Sequence, residues 1–387
     1  MSTASKVAGT HKRRKAPLWA KLTVIVGAVL MVTSGTVIVG ARLLISHVTS
    51  DITQTTLIEG AAGAAAAARG NNIDGPVNLL LVGLDEREGS DEEGARSDTI
   101  IILHIPASHD QAYLVSIPRD ARVRIPPYPK SGYAGGTAKI NAAFAAGYEG
   151  PGTELEKRAR GFDLLAKTIN SLTGITFNGA AIIDFSGFEA VVDELGGVDM
   201  CVDTRAESIH IGVTKDGKLV RGWYKEGVGI QGLPPGAKAK VYEKGCRRLS
   251  AIEALDYARI RKSLPDGDYG RQRHQQQLLK AIAKEATSTG VLTDPLKLNR
   301  VIKAAGKAFV LDTQGVPIED FLFTFRSLSA NDLILVKTNA GKFASETIGG
   351  QDYETLTPET MRMFAAVRDG TLPEFLMANP AFIAPSA

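Results

Sequence analysis

Twenty consecutive uncharged residues, Leu22 to Ala41, divide this chain into two unequal parts. A run of about 20 apolar residues is the length a helix needs to cross the hydrocarbon core of a bilayer. Lys12, Arg13, Arg14, Lys15 and Lys21 precede it, and Arg42 alone follows it. The positive-inside bias then keeps the N-terminus in the cytoplasm and sends everything after Arg42 outside. A cleaved signal peptide is the competing reading, but its apolar core is shorter, roughly 7–15 residues, and ends in an A-x-A-like site. Val39-Gly40-Ala41 matches such a site poorly. The expected organisation is a cytoplasmic basic tail over 1–17, a signal-anchor helix over 18–45 in the cell membrane, and a folded part outside. Chemistry there runs without cytosolic ATP, so its substrate must be activated before export.

The overall charge of +3 hides this division. Six cations and no acid lie in the first 21 residues, so 45 basic residues less six leave 39 against 42 acids, or −3, for the remainder. That balance excludes a bulk polyanion binder, so an anion site must be built from locally placed arginines; the basic tail, 21 residues without a folded motif, is explained by topology rather than by nucleic-acid binding. The two cysteines, Cys201 and Cys246, both follow the apolar run. An even count in an oxidising compartment suggests one disulfide, with two unrelated buried thiols as the alternative. No C-x-x-C or H-x-E pattern accompanies them, which argues against zinc.

Residues 46–75 read as a stalk with an Ala-rich centre. The continuous apolar run Val77–Leu84 reads as a buried strand. Strands over 99–105 and 112–117, separated by six residues, suit an antiparallel hairpin. Periodicity predicts helices over 161–172, 185–195, 250–261, 269–285, 296–307, 317–328 and 358–367, and strands over 178–184, 198–202 and 333–337. The Gly- and Lys-rich stretch 204–244 reads as a long surface insertion. No internal repeat is visible. Strands mixed with helices at short spacing give an α/β class, mixed α-β-α, with a central mixed sheet flanked by helices.

Four segments carry candidate chemistry. Asp85 follows the strand 77–84, and Arg96 and Asp98 enter the next one. Two carboxylates on neighbouring strands can share a hard cation, although Asp beside a strand is usually a turn residue. Arg119 and Asp120 follow the strand 112–117; a solvated turn is the plain alternative. Arg259 and Arg261 flank one residue at a helix end, and Asp268, Arg271 and Gln275 open the next helix. Guanidinium forks near a helix N-terminus favour a phosphate; a salt-bridged surface is the other reading.

Together and in order, these segments resemble the LytR-CpsA-Psr family. The pieces are Gly83-Leu-Asp-Glu-Arg87, Arg96-Ser-Asp-Thr99, Ser116-Ile-Pro-Arg-Asp120, Lys139-Ile-Asn-Ala-Ala143, Leu195-Gly-Gly-Val-Asp199, Ala254-Leu-Asp-Tyr-Ala-Arg-Ile-Arg261 and Asp268-Tyr-Gly-Arg-Gln-Arg-His-Gln275. They span about Pro76 to Leu376, giving an expected catalytic domain over 76–376 and a tail over 377–387. The resemblance implies a membrane-anchored phosphotransferase that moves a glycopolymer from polyprenyl pyrophosphate to a peptidoglycan hydroxyl. It implies that Asp85 and Asp98 hold Mg²⁺ (or Mn²⁺), that Arg119, Arg259, Arg261, Arg271 and Gln275 grip the pyrophosphate, and that Arg96 and Asp268 line the same site. Whether the polymer is teichoic acid, capsule or arabinogalactan stays open. So do a surface-protein acceptor, a pyrophosphatase and a lipid-binding regulator. Two positions depart from the family pattern: Leu249-Ser-Ala251 replaces Leu-Asp-Gly before the Arg259 helix, and His274 stands where Arg is common. Ser caps helices too, so the first change is expected to be harmless; the second is expected to weaken a peripheral contact.

Overall fold

The computed structural model describes residues 53–63, 67–69, 72–84, 97–225, 227–288, 290–291, 294–306, 309–325 and 327–385. The expected membrane helix, Asp85 and Arg96 lie outside them. Among the described residues no helix is long and apolar enough to cross a membrane.

The continuous apolar run forms the strand at the middle of a seven-stranded sheet. In chain order the strands are β1 (Thr53–Gln54), β2 (Val77–Leu84), β3 (Ser97–Ile105), β4 (Ala112–Ser116), β5 (Gly179–Asp184), β6 (Phe309–Asp312) and β7 (Leu333–Lys337). Their spatial order is β1-β6-β5-β2-β3-β4-β7. β2 pairs antiparallel with β3 and parallel with β5; β3 and β4 form the expected antiparallel hairpin; β7 adds parallel to β4. The sheet is therefore mixed, as the pattern of elements implied.

Period-two alternation splits the sheet between two layers. Leu80, Val82, Ile100, Ile102 and Val115 join the main core with Phe144 of α1 (Asn141–Tyr148) and Phe162, Leu165 and Ile169 of α2 (Glu154–Thr173). Leu81, Ile101, Leu114 and Leu335 face the opposite way, toward Leu279. That layer is built from α3 (Phe185–Glu194), α4 (Ala251–Arg259) and α5 (Gly267–Ser288).

Several expectations change. α2 begins at Glu154 rather than 161, because Thr153 and Glu156 form a reciprocal capping box that starts the helix in a polar turn. Both ends of the folded part extend past 76–376. Residues 53–54 pair with 310–311, Leu57 and Ile58 are buried, and their amides donate to Asp312 Oδ2 at 2.7 and 3.0 Å. At the other end Phe382 is buried, and the Ala384 amide donates to the Leu335 carbonyl at 2.8 Å.

The insertion over 204–244 is built of strands. It folds into antiparallel ribbons: 206–213 pairs with 219–221 and 238–242, and 223–225 pairs with 229–231. At its neck 198–202 pairs antiparallel with 245–249, placing Cys201 opposite Cys246, and the two form the disulfide.

Candidate active site

Asp98, Arg119, Arg259 and Arg261 stand where regular structure breaks off, whereas Arg271 and Gln275 project from within a helix. β2 and β3 stay in register up to Gly83 opposite Thr99, but the next pair is Leu84 with Ser97. Asp98 is thus the extra residue of a bulge, a device that re-aims a side chain. Gly83 permits this close approach: a Cβ there would lie 2.8 Å from Thr99 Cβ. Arg119 sits in the turn after β4, closed by Ala121 N–H to Pro118 O at 2.9 Å. Arg271 lies in the second turn of α5, and its Nη2 donates to the Asp98 carbonyl at 3.1 Å. Buried Gln276 fixes α5 to the sheet, its Nε2 lying 2.8 Å from Leu114 O, 2.8 Å from Ser116 Oγ and 3.0 Å from Val336 O.

These placements create a cleft of about 600 Å³ lined by Asp98, Arg119, Arg259, Arg261, Arg271 and Gln275. Arg119 Nη1 donates to Asp98 Oδ1 at 2.7 Å, and Arg271 Nη2 is 2.6 Å from Asp268 Oδ1. Burial pushes the Arg119 guanidinium down, but Asp98, Asp268 and Asp120 outweigh that and hold it above its ordinary value. Burial pushes Arg271 down, and the like charges of Arg119 and Arg261 add to the effect. Arg119 Nε, Arg271 Nε and Gln275 Oε1 are buried without a hydrogen-bond partner among the described residues. Buried polar groups normally find partners, so these atoms mark a site shaped for a polar guest.

Two further spaces adjoin the cleft. An apolar crevice shares Gln275 with it and is lined by Leu81, Ile101, Phe188, Ala258, Leu278 and Leu279; its open volume is about 30 Å³. A polar cavity of about 240 Å³ shares Arg261 and is lined by Asp120, Lys139, Asp268, Gln272 and Glu354 among others. Asp268 therefore faces the second cavity rather than the main cleft. Gln272 Nε2 donates to its Oδ2 at 2.9 Å.

The fit to a divalent cation can be tested at Asp98. Its Oδ1 is engaged by Arg119, whereas Oδ2 accepts no hydrogen bond among the described residues. One or two carboxylates plus substrate phosphates are the usual Mg²⁺ donor set, and Asp98 suits the first place. Among the described residues no group of three or more His, Cys, Asp or Glu could hold a metal.

Other residues stand differently from expectation. His274 is fully buried, stacked on Tyr257 with ring centroids 4.0 Å apart, and its Nε2 lies 3.2 Å from Asp203. It supports the core between α4 and α5 and lines none of the three spaces. At Ser250 the backbone amide and the hydroxyl both donate to Glu253 Oε2, at 3.1 and 2.8 Å, so Glu253 closes the first turn of α4. The sequence reading missed His210, Arg221, Trp223 and Tyr224, which wall the cleft from the insertion. It also missed Asp256, which ties that insertion to the arginine helix. Asp256 Oδ1 accepts from Ser208 at 2.8 Å and lies 3.0 Å from His210 Nδ1, and Oδ2 accepts from Tyr242 at 2.7 Å.

Comparison with known proteins places this geometry. The family model for the LytR_cpsA_psr family matches residues 45–367. The chain is 27% identical over 294 residues to the "Cell wall biosynthesis protein LcpA" of Corynebacterium glutamicum, covering 68% of this chain and 50% of that protein. It is 25% identical over 278 residues to the "Polyisoprenyl-teichoic acid--peptidoglycan teichoic acid transferase TagV" of Bacillus subtilis, covering 69% and 60%. The chain thus spans about half to three-fifths of the length of these relatives. Among solved structures, B. subtilis TagV superposes with a TM-score of 0.54 at 20% identity, covering 78% of this chain and 98% of that one. "TagT bound to LIIa-WTA" gives 0.53 at 22%, covering 81% and 99%. At those identities the structural likeness is one of fold.

Proposed function

This chain belongs to the LytR-CpsA-Psr family, and on that premise we propose that it transfers a cell-wall glycopolymer, as its sugar phosphate, from a polyprenyl pyrophosphate carrier to a peptidoglycan hydroxyl. One observation carries the reading. A cleft lined by Arg119, Arg259, Arg261 and Arg271, in which the buried Nε atoms of Arg119 and Arg271 make no hydrogen bond among the described residues, shares Gln275 with an apolar crevice. Four guanidiniums beside one carboxylate suit a pyrophosphate, and the apolar crevice suits the prenyl chain that carries it. With about 30 Å³ open, the crevice must widen as lipid enters.

The chemistry follows from charge. The acceptor oxygen forms a bond to the sugar-side phosphorus, and the bond from that phosphorus to the bridging oxygen breaks. The electron pair leaves with polyprenyl phosphate. Phosphoryl transfer depends chiefly on positioning and charge neutralisation. Arg119 and Arg271 face the charge developing on the bridging oxygen, and cleaving the pyrophosphate supplies the driving force. Asp268, at the edge of the adjoining cavity, is the candidate acceptor for the hydroxyl proton, which places the attacking glycan on that side. Asp98, with Asp85, would hold Mg²⁺ or Mn²⁺, which supplies further neutralisation of the pyrophosphate. In this reading residues 18–45 anchor the chain in the cell membrane, with the catalytic domain outside.

The test uses the full chain in nanodiscs with a short prenyl-pyrophosphoryl oligosaccharide, Mg²⁺ and peptidoglycan fragments. The reading requires acceptor-dependent release of prenyl phosphate, lost in Arg119→Ala and Asp98→Ala. Release at the same rate without acceptor would make the protein a pyrophosphatase, and tight binding without turnover would make it a regulator.

A further inference from the structure

We propose that Trp223 is a sugar-stacking platform, binding the glycan ring adjacent to the pyrophosphate; the proposal rests on the transferase reading above. Trp223 is 62% exposed, yet it lines the same cleft as the four arginines. It is also held in place. It pairs with Gln231 across a short antiparallel ribbon, and Gly232 follows in a left-handed conformation with φ 76°. A Cβ on Gly232 would fall 1.9 Å from Trp223 Cζ3, so the indole occupies the space that any other residue would fill.

Its neighbours are anchored to the body of the protein. Arg221 makes two hydrogen bonds to Glu189 of α3, at 2.6 and 2.7 Å. The Lys262 ammonium lies 4.2 Å from the centroid of the Tyr224 ring. Among the described residues no other aromatic ring or cation packs on Trp223. The ribbon therefore spends its polar and aromatic neighbours on bracing and leaves one rigid ring open to the cleft.

An exposed indole beside an anion site has a plain chemical use. The C–H face of a pyranose is apolar and slightly positive, and it stacks on the negative face of an aromatic ring. A sugar joined directly to a pyrophosphate in this cleft must lie within a few ångströms of the arginines, where Trp223 forms part of the wall. Backing by Gly232 fixes the ring beforehand, so little ordering cost remains on binding. The competing use is a membrane-dipping tip, since Val228 on the same ribbon's turn is 60% exposed. The placement of Trp223 on the cleft wall favours the sugar.

The chain has two tryptophans, Trp19 and Trp223, so Trp19→Phe leaves Trp223 as the sole tryptophan, excited at the red edge where tyrosine does not absorb. The full chain carrying that change, in nanodiscs, is titrated with farnesyl pyrophosphate and with farnesyl-pyrophosphoryl N-acetylglucosamine, following heat and emission together. The sugar-bearing ligand is expected to shift or quench the emission, and the bare one to bind without doing so. Trp223→Ala should weaken the sugar-bearing ligand about tenfold, leave the bare one within about twofold, and be largely rescued by Trp223→Phe but not by Trp223→Leu. The emission readout holds even if a substitution disturbs the ribbon. Equal weakening of both ligands, an emission that ignores the sugar, or one already shifted by the bilayer alone overturns the platform. A wild-type chain that binds neither ligand overturns the transferase reading itself.

Discussion

Removing the Asp256 carboxylate should loosen the insertion from the arginine helix. Asp256 is 4% exposed and lies three residues before Arg259 on α4. Its two oxygens serve Ser208, Tyr242 and His210, all on the insertion. Ser208 and Tyr242 are themselves buried. Burial, then the charge of Asp256 and its hydrogen bond, push the Tyr242 phenol far up, so it stays a donor at every pH the protein meets. Leaving a buried donor unmade costs about 1–3 kcal/mol; Ser208 and a half-buried imidazole lose their acceptor while the Tyr242 hydroxyl keeps the Glu253 carbonyl at 3.2 Å, which puts Asp256→Ala at about 2–4 kcal/mol. Asp256→Asn keeps an acceptor of the same shape and should cost about half as much. The assay pairs thermal unfolding with calorimetric titration of a prenyl-pyrophosphoryl sugar. Both variants should lose affinity in the same order as they lose stability, because His210, Arg221, Trp223 and Tyr224 wall the cleft from the insertion. Loss of less than 1 kcal/mol in Asp256→Ala, or full affinity in a destabilised variant, would refute this coupling.

Three shorter predictions concern the disulfide, pH and the crevice. Cys201 and Cys246 are 45 residues apart, so replacing both with Ser should lower stability by about 4 kcal/mol in the chain-entropy model, read as a lower urea midpoint; an unchanged midpoint contradicts it. Burial holds the His104 imidazole down at about 4, against 6.5 in an open chain, while its Nδ1 sits 2.7 Å from Asn78 Oδ1. The unfolded chain then takes up a proton where the folded one refuses it, so stability should fall by roughly 3 kcal/mol as pH drops from about 6.5 to about 4. His104→Gln should flatten that part of the profile, and a parallel profile would rule the imidazole out as its source. Ala258→Phe puts a ring into the apolar crevice. It should raise KM for long-prenyl donors while sparing short ones, at a stability cost of about 1–3 kcal/mol; an equal effect on both lengths would remove the crevice from lipid binding.

The sheet was legible where burial is two-sided or alternation is clean. Val77–Leu84 announces a central strand because no polar residue but Asn78 interrupts it, and 99–105 with 112–117 were close enough in sequence to pair. β6 escaped notice: four residues between helical stretches carry too little pattern, and only the tertiary fold inserts them between β1 and β5. α1 was missed because Asn-Ala-Ala-Phe-Ala-Ala-Gly-Tyr has no charged face to set against an apolar one. The insertion's Gly and Lys content marked it as a surface insertion without disclosing its ribbons, and glycine at 232 is what lets a tryptophan lie across one of them.

The site was legible as residue types in order, and that order came from a family resemblance rather than from spacing. Arg119, Arg259, Arg261, Arg271, Asp98 and Gln275 do share one cleft. Sequence alone gave no sign that a bulge presents Asp98, that Gln276 clamps α5 to the sheet, or that Asp268 faces a second cavity. Each depends on a contact between residues far apart in the chain. His274 illustrates the converse error: a motif position beside site residues turned inward, because the helix face it occupies packs on Tyr257.

The central claim is that the sugar-side phosphorus travels with the glycan. A donor carrying ³²P only at that phosphate, incubated with the full chain, Mg²⁺ and peptidoglycan fragments, follows it directly. The account requires the label to appear on the peptidoglycan, joined to the glycan, with unlabelled prenyl phosphate released. Label retained on the lipid while the glycan moves would mean attack at the sugar carbon instead, and would contradict the mechanism.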